Sequence, residues 1–298
     1  MTPDGLPGGA AAVVAPDELL PQRWALSGVL RHRSLAAGLV ISGLLALVLA
    51  AAPLLTSADP NLQDPMASFA APSLAYPMGA DAFGRDLFAR VLYGGRTTIL
   101  ASFCVVALGG AAGVTLGLIA GYAGGLVRFV IMRVVDLLLA FPGILMALTV
   151  SAVLGPGLMN GVVAIAVVLT PIYARLVEGA TAEIRHLPYV DAAVTLGAGA
   201  PRIILRHILP NVSPAIIVLT TTWLGVAVLW IAALGFLGVG VQPPQPEWGA
   251  ILNDGQNYIT LAWWITVFPG VFLALLVIGV NLIGDGLRDQ LDPTLARF

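Results

Sequence analysis

The sequence predicts an all-α membrane protein with six transmembrane helices. Hydrophobic residues make up 58% of the 298-residue chain and charged residues only 10%, and the mean hydropathy is +0.94. This composition excludes an ordinary soluble domain, in which about 25% of residues are charged. Six apolar runs reach the roughly 17–25 residues that a helix needs to cross a bilayer. The runs are Leu35–Leu55, Ile99–Tyr122, Val134–Leu154, Leu158–Ala174, Ala215–Gly238 and Leu261–Ile283.

The orientation is predicted from the arginines, since all fourteen basic residues are arginine and none is lysine. With the N-terminus inside, eleven arginines fall in inner segments and three fall in outer segments. Arginine and lysine concentrate in cytoplasmic loops of membrane proteins. We therefore expect both termini to be cytoplasmic, residues Thr56–Thr98 and Val239–Thr260 to lie outside, and Glu178–Asn211 to lie inside.

The N-terminal residues Met1–Pro21 are rich in Gly, Ala and Pro, which predicts a disordered tail. Arg31–Arg33 before the first apolar run and Ala50–Ala52 near its end resemble parts of a signal peptide. The run is too long and begins too far from the first residue for that role, so we expect it to remain as a span.

Some residues within and beside the spans have predicted local roles. Pro142 is expected to kink the third span. Asp136 follows Arg133 by three residues, so we expect a local ion pair at the inner end of that span. Asn281 and Thr220–Thr222 are polar groups within spans, and either a lining of the passage or hydrogen bonds between helices accounts for them.

The first outer segment is the longest stretch outside the membrane. Residues Asp86–Arg96 predict an amphipathic helix along the membrane surface. Taken alone, the charges in this segment predict a polar collar with solvated ion pairs. In the second outer segment, Trp248 follows a proline-rich loop that is either a docking surface or an interfacial anchor, and Trp263 and Trp264 predict an aromatic belt.

The inner segment Tyr189–Asn211 predicts a helix, a break and a second helix. Ala192 and Ala193 are small enough for close approach to another surface, and the glycines at 197 and 199 suit a turn. Pro201 is expected to open the second helix and Pro210 to end it. Arg202, Arg206 and His207 give this helix a basic side. On spacing alone, an ordinary cytoplasmic loop is an equal alternative.

The inner segment resembles the EAA motif of ABC importer permeases. That motif has an acidic residue, two alanines, a glycine four residues later, and a final Leu-Pro. The matching residues are Asp191, Ala192, Ala193, Gly197, Leu209 and Pro210. Asp191 departs from the usual glutamate, and His207 departs from the usual aliphatic residue.

Further blocks are similar to the C-type permeases of the dipeptide, oligopeptide and nickel branch. The outer block matches Gly-Thr-Asp-x-x-Gly-Arg-Asp, with Ala80 in place of threonine, and its motif residues are Asp81, Gly84, Arg85, Asp86 and Arg96. The other blocks are Met132–Pro142, Leu234–Gly249 and Asn281–Pro293. The resemblance therefore runs from about Ser34 to the C-terminus.

The resemblance implies a type I ABC importer permease fold in a bacterial inner membrane. It implies a cytoplasmic tail at 1–33, a first span with its outer segment at 34–94, a permease domain at 95–285 and a cytoplasmic tail at 286–298. The implied function is ATP-driven import of dipeptides or oligopeptides. The implied ATPase-coupling residues are Tyr189, Asp191, Ala192, Ala193, Gly197, Arg202, His207, Leu209 and Pro210.

The implied partners are a homologous second permease, two cytoplasmic ATPase subunits or domains, an extracytoplasmic substrate-binding protein and the lipid bilayer. We expect no nucleic acid, because the sequence has no basic patch with interleaved aromatic residues. Within the family, nickel or glutathione import are alternatives to peptide import.

The chain is not expected to be an enzyme. Without a lysine it has no phosphate-binding P-loop, so ATP and Mg would be used by the partner ATPases. Its three histidines lack metal-ligand spacing, and we expect no catalytic, cofactor or metal site in this chain. A stand-alone secondary transporter or channel is the alternative class. It predicts ionisable groups at mid-membrane, and the sequence has almost none there.

Overall fold

The computed structural model describes residues 32–291, which are helical apart from connecting loops and one isolated β-bridge between Ala80 and Asp86. The predicted N-terminal tail up to residue 31 and the last seven residues lie outside the described residues. The helices are α1 Arg33–Ala50, α2 Ala52–Leu55, α3 Leu87–Ala123, α4 Gly125–Leu139, α5 Gly143–Leu154, α6 Leu158–Ile184, α7 Pro188–Thr195, α8 Ala200–Ile203, α9 Leu209–Phe236, α10 Trp248–Gly255 and α11 Trp264–Leu291, with short 3-10 turns at Pro65–Ala67 and Gln256–Tyr258.

Five helical stretches in the described chain are long and apolar enough to cross a membrane, and a bent pair of shorter helices makes a sixth. The predicted all-helical membrane fold is therefore confirmed. The prediction of one helix over Val134–Leu154 was wrong, because α4 and α5 meet at 94°. Pro142 is the N-cap residue of α5. It lacks an N–H and disfavours helical geometry at Phe141, which explains a full break rather than a kink.

The predicted surface helix at Asp86–Arg96 was also wrong, because these residues form the start of the 37-residue helix α3. The Asp86 side chain caps this helix by accepting a hydrogen bond from the Ala89 N–H at 3.2 Å. Leu87, Val91 and Leu92 are fully buried, together with Trp248, in the core. The first turns of α3 are thus held by the protein interior, and the helix continues unbroken to Ala123.

Helix α3 packs along α6 through a stripe of glycines at every fourth position, Gly109, Gly113, Gly117 and Gly121. A Cβ atom at Gly109 would lie 2.8 Å from the Ala166 carbonyl oxygen, and one at Gly117 would lie 2.8 Å from that of Ala174. Small residues at this spacing let two membrane helices approach closely. The α3–α6 pair forms the most extensive helix–helix packing in the described chain, and α9 packs against both helices.

Three apolar clusters follow one another from one end of the bundle to the other. The first surrounds Trp248 and Trp264, where α10 and the outer segment meet α3 and α11. The second surrounds Tyr173 between α3, α5, α6 and α9. The third joins Leu118 and Val177 to the inner segment. The clusters place the outer segment and the Tyr189–Pro210 segment at opposite ends of the bundle.

Candidate functional site

The Tyr189–Pro210 segment contains the predicted helix and break. Pro188 opens α7, and the helix ends at a Schellman motif in which Gly197 has φ +80°. The Ala198 N–H donates to the Ala193 carbonyl at 3.0 Å, and the Gly197 N–H donates to the Val194 carbonyl at 2.9 Å. A positive φ is costly for residues with a Cβ, so the turn depends on glycine at 197.

Three buried aliphatic side chains anchor this segment to the membrane helices. Val190, Ile203 and Ile208 pack in one cluster with Leu118 of α3 and Val177 of α6. These side chains hold one face of the Tyr189–Pro210 segment against the end of the helix bundle, and the opposite face of the segment is exposed. We call this segment the platform.

The prediction that Pro210 ends the second helix was wrong. Helix α8 runs through a π turn at Ile204–Ile208 into α9, so that one helical stretch extends from Ala200 to Phe236. The Leu209 N–H donates to the Ile204 carbonyl, five residues back. This wider turn accommodates the proline, which has no N–H to donate to the preceding turn.

The predicted coupling residues lie together on or beside the open face. Tyr189, Asp191, Ala192, Gly197, Arg202 and Pro210 are exposed, whereas Ala193, His207 and Leu209 are half-buried. The Tyr189 and His207 rings are 6.4 Å apart and link α7 to the π turn. Within residues 32–291, the side chains of Asp191, Arg202 and Arg206 make no hydrogen bond or ion pair. Leu196, 88% exposed, and Leu205, 63% exposed, add apolar area to this face.

At the other end of the bundle, Asp81 is the centre of a buried charge cluster. Its Oδ1 accepts hydrogen bonds from the backbone N–H groups of Phe83 at 2.9 Å and Arg85 at 3.0 Å. Its Oδ2 lies 2.5 Å from Arg85 Nε and 3.4 Å from Arg90 Nε. Arg85 Nη2 also donates to Asp254 Oδ2 at 3.0 Å. The expectation of solvated ion pairs was wrong, because Asp81, Arg85 and Arg90 are each no more than 3% exposed.

The remaining residues of the outer motif shape and support this cluster. Gly84 has φ +73°, and a Cβ at this position would overlap the Asp64 carbonyl. Arg90 Nη1 donates to the Pro60 carbonyl at 3.1 Å and tethers the loop that precedes the motif. Arg96 lies apart from the cluster, with its guanidinium 5.6 Å from the centre of the Tyr93 ring. The structure therefore brings together Asp81, Gly84, Arg85 and Asp86 but not Arg96.

Sequence reasoning missed Asp254, and it assigned Trp248 to the wrong environment. Trp248 is fully buried, and its indole Nε1 donates to the Val91 carbonyl at 2.8 Å, so it is a core residue and not an interfacial anchor. Trp264 is also largely buried and donates to the Ala80 carbonyl, whereas Trp263 is exposed as expected of a belt residue. No local pattern signals these contacts, which join positions more than 150 residues apart.

Glu247 is a second buried acid that the sequence did not reveal. Its side chain is fully buried as the N-cap of α10, where Oε2 accepts from the Ala250 N–H at 3.0 Å. Its Oε1 lies 2.8 Å from Thr98 Oγ1, which is also within 3.1 Å of the Gly94 carbonyl. Among the residues that the structure describes, none forms an ion pair with Glu247. Burial without a cation raises the pKa of this carboxyl.

The raised pKa predicts how stability depends on pH. The folded protein holds the Glu247 proton at pH values where the unfolded chain has lost it, so stability falls as pH rises above the usual glutamate pKa of 4.5. Glu247→Gln keeps an uncharged cap, and we expect this variant to lose that slope and to be at least as stable as the parent at pH 8. Thermal unfolding in nanodiscs between pH 5 and 8 tests this, with Glu183→Gln as the exposed control. An unchanged slope in Glu247→Gln would contradict the assignment.

The predicted local pair of Asp136 with Arg133 was wrong. Asp136 instead pairs with Arg175 of α6, and Arg128 pairs with the buried Glu178 at 2.5 Å. Arg133 stacks over the Phe129 ring at 5.8 Å. Asp136 lies on the face of α4 that packs against α6, which explains why it pairs with Arg175 and not with Arg133.

Comparison with known proteins agrees with this architecture. The family described as "Binding-protein-dependent transport system inner membrane component" matches residues 113–297. The dipeptide transport system permease protein DppC of Alkalihalophilus pseudofirmus is 43% identical over 92% of this chain and 90% of its own length. The probable D,D-dipeptide transport system permease protein DdpC of Escherichia coli is 43% identical over 85% of each chain.

A third relative and a solved structure extend this comparison. The glutathione transport system permease protein GsiD of Pectobacterium atrosepticum is 42% identical over 89% of this chain and 88% of its own length. A chain of the MetNI methionine ABC transporter, in an inward-facing conformation, shares the fold with a TM-score of 0.55 at 21% identity. That match covers 69% of this chain and 98% of the other.

These matches confirm the resemblance to ABC importer permeases and the type I permease fold. They also confirm that the chain is a multi-pass inner-membrane component. With its helical bundle, its platform and its buried outer cluster, the chain belongs to the family of binding-protein-dependent transport system inner membrane components.

Proposed function

We propose that the chain is a permease subunit of an ATP-driven importer of short peptides. It forms the passage with a homologous second permease, and two ATPase subunits or domains bind its Tyr189–Pro210 platform. The single observation that carries this proposal is the platform itself. It is anchored by Val190, Ile203 and Ile208, yet presents unpaired charges and apolar side chains outward. Exposed apolar surface rimmed by polar groups is typical of a protein interaction site.

Coupling follows from how the platform joins the spans. Ala192 is exposed and Ala193 is half-buried, and because both side chains are small, this side of α7 is narrow enough to fit a groove on a partner. The second half of the platform is continuous with α9 through the π turn. ATP-driven closure of the partner subunits would therefore shift α9 as a near-rigid element, which is how packed helices transmit switching motions. ATP and Mg act in the partners, since this chain has no P-loop lysine.

The proposed substrate class is peptides, because the similar relatives include dipeptide permeases from two organisms. A glutathione permease is nearly as similar, and glutathione is itself a short peptide. Nickel import is the remaining alternative within the branch. Selection among these ligands belongs to the extracytoplasmic binding protein. We propose that this protein docks at the outer face, where Asp254 and Tyr258 border a cavity of about 270 Å³ beside the Asp81 cluster.

The orientation of the chain is part of the proposal. Arginines concentrate at the end that carries the platform, which favours a cytoplasmic platform and cytoplasmic termini in the inner membrane. The outer cluster then faces the binding protein. Within residues 32–291, no pattern of charged residues at mid-membrane favours a stand-alone secondary transporter.

One labelling experiment tests both orientation and docking. A single cysteine replaces the exposed Leu196 in a Cys104→Ala background, and a membrane-impermeant maleimide is applied. We expect labelling only after the membrane is opened, and protection from labelling when the ATPase subunits are bound. A cysteine at the exposed Ser73 is the control and should react in intact cells. Labelling of position 196 in intact cells would overturn the orientation, and equal labelling with and without ATPases would overturn docking.

A further inference from the structure

Helices α4 and α6 line a basic cavity. Its volume is about 490 Å³, and three arginines line it: Arg128 and Arg133 from α4 and Arg175 from α6. The two acids in its wall are Asp136 and Glu178. Three guanidinium groups against two carboxylates leave the cavity with a net positive charge.

The two carboxylates do not neutralise the third arginine. Glu178 pairs with Arg128 and Asp136 pairs with Arg175. Arg133 has no carboxylate partner among the described residues, and its guanidinium group lies over the Phe129 ring. It is exposed, and Arg128 and Arg175 are each about half exposed. Their remaining N–H groups are thus available to a ligand.

Guanidinium groups in this arrangement suit a phosphate group. Each presents several N–H donors in a planar fork that matches the oxygens of a phosphate, and guanidinium is desolvated more easily than ammonium.

The position of the cavity indicates where that phosphate comes from. Glu178 follows Val177, which packs against Val190 and Ile208 of the platform, so the cavity lies at the platform end of the bundle. Helices α4 and α5 meet at 94°, so they cannot both run along the membrane normal. The exposed side of α4 is strongly apolar, with Leu126, Phe129 and Leu137. A helix with this mixture of arginines and apolar side chains suits the interface between headgroups and acyl chains.

We propose that the α4–α6 cavity binds the phosphate group of an anionic phospholipid, with Arg133 as its principal contact and the acyl chains along the apolar side of α4. Basic pockets between transmembrane helices on the cytoplasmic side are suited to anionic headgroups, which are abundant in that leaflet. The assignment to the inner leaflet rests on the proposed orientation, whereas the phosphate chemistry does not. A bound lipid here would fill the space between α4 and α6 and hold the two helices at a fixed distance.

The test measures lipid retained by the assembled transporter. The complex is placed in phosphatidylcholine nanodiscs with added phosphatidylglycerol, extracted gently, and bound lipid is counted by native mass spectrometry. We expect Arg133→Gln to weaken phosphatidylglycerol retention about fivefold relative to the parent, the effect of one arginine near an anionic membrane. Arg288→Gln removes an exposed arginine outside the cavity and is the matched control, which should retain as much as the parent.

One further arm decides the source of the phosphate. Excess inorganic phosphate should leave the retained lipid in place. Displacement by inorganic phosphate would keep the phosphate site but assign it to a soluble phosphate. Equal retention in Arg133→Gln and the parent, with both complexes intact, would overturn the proposal. Because no transport is measured, failure of the proposed import function would not change this result.

Discussion

Replacement of Asp81 with alanine is expected to lower the free energy of unfolding by roughly 3–5 kcal/mol, the usual cost of removing one partner from a buried ion pair. The carboxylate accepts two backbone N–H groups and pairs with Arg85 and Arg90. Without it, two guanidinium groups remain buried with only the partly exposed Asp254 as a counter-charge. The outer segment would then open or take in water.

Thermal unfolding of the purified transporter in nanodiscs measures this effect. Asp86→Ala is the matched control, since it removes a neighbouring aspartate that only caps α3 and should cost about 1 kcal/mol. We also expect Asp81→Ala to make the outer segment around position 73 more susceptible to protease. Equal losses of stability in Asp81→Ala and Asp86→Ala would show that the buried cluster contributes no more to stability than a helix cap does.

The second large effect is expected at the turn of the platform. Gly197→Val forces a β-branched residue into a left-handed conformation at a strain of roughly 1–2 kcal/mol. A Cβ there meets open space, so the cost is conformational and not steric. The strain shifts α7 away from its docked geometry, and we expect ATP-driven uptake and ATPase assembly to fall about 5–30-fold. Membrane insertion should be unchanged.

Two variants separate this account from a general loss of stability. Gly197→Asn should retain most activity, because asparagine tolerates the left-handed region far better than valine. A tryptophan at Ala193 leaves the turn intact but thickens the edge of α7, and it should impair assembly as well. Normal substrate-stimulated ATP hydrolysis in both Gly197→Val and Ala193→Trp would count against the coupling role.

The sequence was sufficient for features that depend on local pattern. Six apolar runs predicted the spans, because burial in lipid requires length and composition rather than particular partners. The turn at Gly197 was predictable for the same reason, since only glycine readily provides the required φ. The break at Pro142 was predicted in place but not in size, because a proline alone does not determine the 94° angle.

The errors concern long-range partners. Asp136 has an arginine three residues away, yet its partner Arg175 is on another helix. Arg85 meets Asp254, which is 169 residues distant in the chain. Pro210 resembled a helix end, but the π turn before it allows the helix to continue. Such outcomes depend on which helix faces pack together, and a single sequence carries little of that information.

This chain is expected to move substrate only within an ATP-driven assembly with its partners. The most direct measurement is uptake of a labelled dipeptide into proteoliposomes. We predict no uptake by the chain alone, with or without ATP or a proton gradient, and ATP-dependent uptake once the second permease, the ATPases and the binding protein are added. Gradient-driven uptake by the isolated chain would contradict the account and favour a secondary transporter.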